Sequence, residues 1–246
     1  MQESLSMPSG SPELYELSPP AKEALHPIDR QFRLGELAYT SLKEALVRGQ
    51  FRAGQKLTVR GIANALSIST SPARDAIIRL IDEGALANAG PKTIVVPTLT
   101  LATLDEVTSI RLALEPLAAS IATERMDRGS VERLKKLHAQ ISDGANRSAM
   151  LMADKAFHFC VYESAQMPRI VAMIESLWMR LLPSLNELSS STGDHQSGAA
   201  NHTQAIVGLQ RRDKALVHAA IDKDIRDGYQ RLVGRLKQQR AAYRGP

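Results

Sequence analysis

The sequence predicts a mostly α protein: a small N-terminal domain of helices and one hairpin, then an antiparallel all-α helical bundle. Three observations carry this. Aromatic residues make up only 4% of the chain, while Ala, Leu and Ile recur three and four positions apart, which is the period of an amphipathic helix rather than the alternation of a strand. The strand-like signal is confined to a short stretch before Pro97 and does not return. At 246 residues with 43% hydrophobic content, the chain is long enough to bury two modest cores.

Residues 1–32 hold Pro8, Pro12, Pro19, Pro20 and Pro27, with two basic against five acidic side chains and no apolar period. They read as a flexible arm. From Arg33 the pattern changes. Leu34, Leu37, Ala38, Ala45 and Leu46 mark one face of a helix that ends near Gly49, a turn follows at Arg52–Gly54, and a second helix runs over 59–66. Ser69 stands at an N-cap position, Pro72 fits the first helical turn, and Ala76, Ile77, Leu80 and Ile81 form a stripe that stops at Gly84. Ala85–Ala87 and Thr93–Val96 then pair as short strands around a turn at 88–92. Helix, helix, turn, helix, hairpin is the order of a winged helix-turn-helix, assigned to 33–97. Beyond it, amphipathic segments at 101–128, 130–145, 148–166, 168–188, 198–211 and 213–239 build the bundle of 98–246.

Composition excludes several classes. A single cysteine, Cys160, removes any internal disulfide framework and any multi-cysteine zinc module, and reads as a small buried hydrophobe rather than a nucleophile. No basic segment followed by an apolar core opens the chain, and no apolar run approaches the roughly 20 residues needed to span a bilayer. A cytoplasmic protein without a membrane partner is expected. The net charge of +5 suits a polyanionic partner without proving one.

The second helix of a helix-turn-helix enters the major groove with its N-terminal residues facing bases and phosphates. Here that end is Ser69-Thr70-Ser71-Pro72-Ala73-Arg74. Hydroxyls and free backbone N–H groups suit phosphate oxygens, Arg74 carries the planar fork that matches guanine O6 and N7, and Arg60 on the preceding helix is placed to reach the backbone or a base. This run, with Ala53-Gly54-Gln55-Lys56-Leu57 before it, Arg60-Gly61-Ile62-Ala63, and Arg79-Leu80 through Gly84-Ala85-Leu86 after it, resembles the helix-turn-helix of the GntR family. The resemblance implies a DNA-binding regulator with DNA contacts from Arg60 and Arg74, phosphate contacts from Ser69 and Ser71, and a wing contact from Lys92. It also exposes a departure: the arginine that usually opens the recognition helix is Thr70 here.

In the second half, Asp154 and His158 are four apart on a predicted helix and share a face. His202 and Asp224 lie on later helices that a bundle could turn inward, although spacing alone does not bring them together. A structural histidine and a solvated aspartate are the alternative reading. Arg111-Leu112-Ala113-Leu114-Glu115, Asp154-Lys155-Ala156-Phe157-His158, and the segment from His202 through Arg212-Asp213 resemble the FCD ligand-binding domain of the FadR subfamily. That resemblance implies a divalent metal held by Asp154, His158, His202 and the position of Asp224, where the family usually has histidine. A carboxylate there favours harder cations; Zn²⁺, Ni²⁺, Mn²⁺ and no metal all stay open. A small organic or sugar acid is implied as effector, with Arg111 as its second partner; an intrahelical pair with Glu115 is the competing role for Arg111.

The expected function is a homodimeric, ligand-responsive transcription regulator, repressor or activator, on an inverted-repeat operator DNA. Two alternatives belong to other classes. An Asp/His metal site with an open position can activate water, which is the chemistry of a metal-dependent enzyme acting on a small acid, but no separate general base, nucleophile or phosphate-binding glycine loop accompanies it. A ligand-independent DNA binder leaves the large second domain without a role.

Overall fold

A computed structural model describes residues 30–142, 147–188 and 195–243. Residues 1–29 of the expected arm lie outside them. The first helix, α1 (Arg30–Val47), starts inside that expected arm. It is followed by β1 (Lys56–Leu57), α2 (Val59–Ala65), α3 (Thr70–Asp82), β2 (Ala87–Gly90) and β3 (Thr93–Val95). The remaining elements are helices: α4 (Leu101–Arg125), α5 (Arg128–Ser142), α6 (Arg147–Ser164), α7 (Pro168–Leu188), α8 (His195–Arg211) and α9 (Lys214–Tyr243). The mostly α architecture holds, with a winged helix-turn-helix leading into a helical bundle.

In the N-terminal unit, α1 packs on α3 around a core in which Leu46, Leu80 and Leu86 are fully buried; of the stripe expected on α1, Ala38 and Leu46 join this core with Tyr39 and Leu42, whereas Leu34 and Leu37 are exposed. Thr58 caps α2 by accepting the Gly61 N–H. At the end of α3, Gly84 takes φ +75, a left-handed geometry that a side chain disfavours, and the N–H groups of Ala85 and Leu86 both return to the Leu80 carbonyl. These residues therefore belong to the helix end, and the first wing strand starts at Ala87 rather than at Ala85. Asn88 and Gly90, expected in the turn, sit in β2 across a register shift, the kind of bulge that accommodates such residues. The sheet has a third strand that the turn-rich sequence around 52–54 concealed. β1 pairs antiparallel with β3, giving the order β1-β3-β2.

The bundle helices match the predicted segments to within a few residues. α9 packs on α4 and α8, and α5 packs on α6 and α8. Cys160 is buried in this core, and burial pushes its thiol pKa up. No helix among the described residues is long and apolar enough to cross a membrane.

One bundle helix touches the N-terminal unit. From α7, Glu175 pairs with Lys43 of α1 at 3.2 Å, and the Ser176 hydroxyl donates to the Glu83 carbonyl at the end of α3. Lys43 also pairs with Glu83 at 3.4 Å. The absence of a side chain at Gly84 is what admits Arg180 of α7, because a Cβ there would come within 2.5 Å of the Arg180 Cζ.

Candidate functional site

Two sets of candidate residues occupy different environments. On the N-terminal unit, Arg60, Ser69, Thr70, Ser71, Arg74 and Lys92 are all exposed. Ser69 is the N-cap of α3 but, unlike Thr58, makes no side-chain capping bond, so its hydroxyl is not consumed by the helix. Lys92 lies in the tip between β2 and β3. Arg79, two turns after Ser71, is used differently: its guanidinium pairs with Glu36 and stacks on the Tyr39 ring, which ties α3 to α1.

In the bundle the predicted ligands converge. Ligand atoms of Asp154, His158 and His202 lie within 4.8 Å of one another. The two imidazole Nε2 atoms face each other at 3.2 Å. Asp154 Oδ1 stands 3.9 Å from His158 Nε2 and 3.6 Å from His202 Nε2. Asp224 is outside that trio, but its Oδ2 reaches His158 Nε2 at 3.3 Å. Donors held about 2.1 Å from one divalent ion at tetrahedral or octahedral angles are themselves about 3.0–3.4 Å apart; the two imidazoles stand at that spacing and Asp154 a few tenths of an ångström beyond it, so the trio is within a small side-chain adjustment of holding a single cation.

The network behind His158 orients it for that role. Its Nδ1 lies 3.1 Å from the Tyr162 hydroxyl, and that hydroxyl donates to Glu115 at 2.7 Å. With its own proton committed to Glu115, the Tyr162 oxygen accepts from His158 Nδ1–H, which leaves Nε2 to carry the lone pair in the neutral ring. Glu115 is fully buried, and it also accepts two bonds from Arg111, at 2.6 and 3.1 Å, and one from Trp178 Nε1 at 3.0 Å. The Arg111 guanidinium lies over the Trp178 ring.

Electrostatics follow from this crowding. Burial favours the neutral form of His158, but the Asp224 hydrogen bond and the charges of Asp154, Asp224 and Glu115 outweigh it and raise its pKa. Burial and the neighbouring His158 lower the pKa of His202. Burial opposes ionisation of Asp224, yet His158, His202 and Arg231 hold its carboxyl well below the usual range. Burial and the Glu115 charge push the Tyr162 hydroxyl well up.

Asp154, His158, His202 and Asp224 line a cavity of about 160 Å³, bounded by α4 through α9. Arg111 does line it, so both roles expected for that residue meet in one place, with the Glu115 pair formed. Sequence reasoning missed Trp178, Tyr162 and two arginines of α9, Arg231 and Arg235. The arginines follow Asp224 at spacings of seven and eleven on a single helix, a signal present in the sequence; the Tyr162 and Trp178 contacts, 47 and 63 residues from Glu115, left none.

An exposed recognition helix with a wing, joined to an all-helical domain enclosing a ligand-sized cavity, defines a winged helix-turn-helix transcription regulator. The chain belongs to the GntR family: residues 34–96 match the bacterial regulatory proteins of the gntR family, and residues 106–227 match the FCD domain. It is 28% identical to the HTH-type transcriptional regulator McbR of Escherichia coli (strain K12) over 178 residues, covering 70% of this chain and 80% of that protein. The solved structure of E. coli McbR/YncC aligns with a TM-score of 0.75 at 25% identity, covering 84% of this chain and 98% of that one. A GntR-type regulator from Rhodococcus sp. RHA1 shares the fold at TM-score 0.70 and 19% identity, over 83% and 98% of the two chains. The protein is thus a transcription regulator and not an enzyme.

Proposed function

We propose that this regulator binds an inverted-repeat operator as a homodimer and is controlled by a small carboxylate that sits in the bundle cavity beside a divalent metal ion. The observation that carries the reading is the convergence of Asp154, His158 and His202, with Asp224 adjoining, on the wall of a partly open cavity. Asp154, His158 and His202 would hold the ion, with Asp224 closing in from beside His158, and the ion would supply a positive charge that attracts a carboxylate. Two carboxylates among the four donors suit Mn²⁺, with Zn²⁺ and Ni²⁺ as competitors.

At the other end of the molecule, Arg74 and Arg60 read base edges, Ser69 and Ser71 hold phosphates, and Lys92 follows the groove from the wing. Self-association is supported by exposed Ile110 and Leu117 of α4 and Met173 of α7, two of which flank one apolar groove. Control requires that the effector bind the DNA-bound and free states unequally. α7 is suited to carry that difference, because Trp178 faces the cavity while Ser176 donates to the carbonyl of Glu83 at the end of the recognition helix, Arg180 lies against Gly84, and Glu175 pairs with Lys43 of α1.

The reading is tested by fluorescence anisotropy with inverted-repeat duplexes, measured with the metal-free protein, with Mn²⁺ or Zn²⁺, and with added organic and sugar acids, alongside light scattering for mass. A metal content of zero after purification without an affinity tag, together with unchanged acid binding in His158→Ala, overturns the metal-linked effector site. A monomeric mass on DNA overturns the dimer.

A further inference from the structure

We infer that His138 of α5 is a positioning residue for the metal site: its Nδ1 accepts a hydrogen bond from the Nδ1–H of His202 and so holds that ring in the tautomer that binds a cation. The inference rests on the reading of His202 as a metal ligand. It adds a residue that lies outside the close trio of donors and does not line the cavity.

A neutral ring that offers its Nε2 lone pair to a cation carries its proton on Nδ1, and that N–H needs an acceptor where water does not reach. His158 has one in the Tyr162 hydroxyl. His202 has none among the described residues: the residue is 2% exposed, and its Nδ1 is buried without a hydrogen-bond partner. In the neighbouring ring of His138, the Nδ1 is likewise buried without a partner.

Hydrogen bonds around Thr203 decide which kind of group His138 presents. The Thr203 hydroxyl lies 3.0 Å from the Ala199 carbonyl, one turn earlier in α8, and 3.2 Å from His138 Nε2. A carbonyl can only accept, so the single hydroxyl proton goes to Ala199, and the Thr203 oxygen accepts from His138 Nε2–H. The neutral His138 ring then has its proton on Nε2 and its lone pair on Nδ1. One orphaned nitrogen is thereby an acceptor, and the other, in a ring whose Nε2 binds a cation, is a donor. Thr203 follows His202 directly in α8, so the residue that sets the tautomer of His138 is carried by the same helical turn as the ligand.

The two rings are close enough to meet. Their centroids are 6.0 Å apart, with planes at 80°. Imidazoles joined by an N–H···N bond of about 3.0 Å have centroids roughly 5.3 Å apart, whatever the twist about the bond axis. These rings therefore already stand within about 1 Å of that separation. Phe157 stacks on His202 at 4.2 Å and fixes its plane, whereas His138 is only partly buried and has room to turn.

The competing role for His138 is to tie α5 to α8 through Thr203 alone, and the experiment separates the two. Untagged full-length protein at about pH 8, where an ordinary imidazole is neutral, is titrated calorimetrically with Zn²⁺ and with Mn²⁺ as wild type, His138→Leu and His138→Asn. Leucine fills the space without an acceptor, and asparagine places an amide oxygen near the position of Nδ1. Loss of such an outer partner weakens metal binding by about 10–100-fold, so His138→Leu should bind the ion at least about tenfold more weakly and His138→Asn within about threefold of wild type. A mere tie between helices predicts the opposite order, because leucine is the better helix former. Wild-type affinity in His138→Leu, or equal losses in the two variants, overturns the inference and leaves the metal site standing. Binding of neither ion to the wild type overturns the metal site and the inference with it. The second measurement needs no substitution: in the nitrogen NMR spectrum of wild type with isotopically labelled histidine, His138 should carry its proton on Nε2, and its Nδ1 resonance should move toward the hydrogen-bonded value when Zn²⁺ binds. A proton on His138 Nδ1, or an Nδ1 resonance unmoved by bound Zn²⁺, overturns the inference even where a variant fails to fold.

Discussion

Arginine does opposite work at the two ends of this molecule. On α3, Arg74 is exposed and stands among exposed hydroxyl residues, so it is placed by its position on a helix and by little else. In the bundle, Arg111 is enclosed, bonded twice to a fully buried Glu115 and laid over Trp178, so its geometry is inseparable from the packing of α4, α6 and α7. A surface reader can be replaced without disturbing the fold that carries it. A buried charge pair is support and site at once, and removing one member leaves the other desolvated and uncompensated.

The contrast can be broken most forcefully at Glu115. Glu115→Ala is expected to destabilise the metal-free protein by about 3–5 kcal/mol, read as a lower urea midpoint; a loss below about 1 kcal/mol would mean that Arg111 finds another partner at no cost. Next in size is metal removal. At a free ion concentration of 100 times Kd, binding adds about 2.7 kcal/mol of stability, so chelation should lower the melting temperature of the wild type and leave that of His158→Ala unchanged.

The chelation effect should also depend on pH. The raised pKa of His158 means that its proton stabilises the metal-free fold below the ordinary histidine value, and that this support is lost as pH rises through the folded pKa. The ion requires the unprotonated ring. The melting shift on chelation should therefore grow between about pH 6 and pH 8, and a shift that shrinks over that range contradicts the donor role of His158.

Smaller effects belong to the exposed end. Arg74→Ala should weaken operator binding by about 1–3 kcal/mol while changing stability by no more than about 0.5 kcal/mol; unchanged affinity in anisotropy titrations removes Arg74 from the reading set. Smallest is the gain from Thr70→Arg, which restores the arginine that the family usually carries. It should tighten binding by about 1 kcal/mol to duplexes with guanine opposite that position and not to those with adenine, and equal gains on both would assign the new contact to phosphate.

Much of the winged helix was readable from the sequence because its signals are local. The N-cap at Ser69, the stripe from Ala76 to Ile81 and the stop at Gly84 each depend on residues within one or two turns. What local signals concealed was the two-residue strand Lys56–Leu57, which exists only by pairing with Thr93–Val95 some 40 residues away, and the late start of the first wing strand, decided by two N–H groups returning to Leu80. In the bundle, helix positions were legible from the 3.6-residue period, and Asp154 with His158 from their spacing.

The sequence by itself determined the class of fold, the order of its elements and the exposed face of the recognition helix, because helical period, caps and breakers act over a few residues. Tertiary structure alone decided that His202 meets His158, that Asp224 adjoins them rather than joining their close trio, and that Arg111 is held by Glu115 with Tyr162 and Trp178 around it. Those contacts join residues brought together only by packing α4, α6, α7, α8 and α9 around one cavity. No periodicity along a chain encodes which side chains will face each other across the space that its helices enclose.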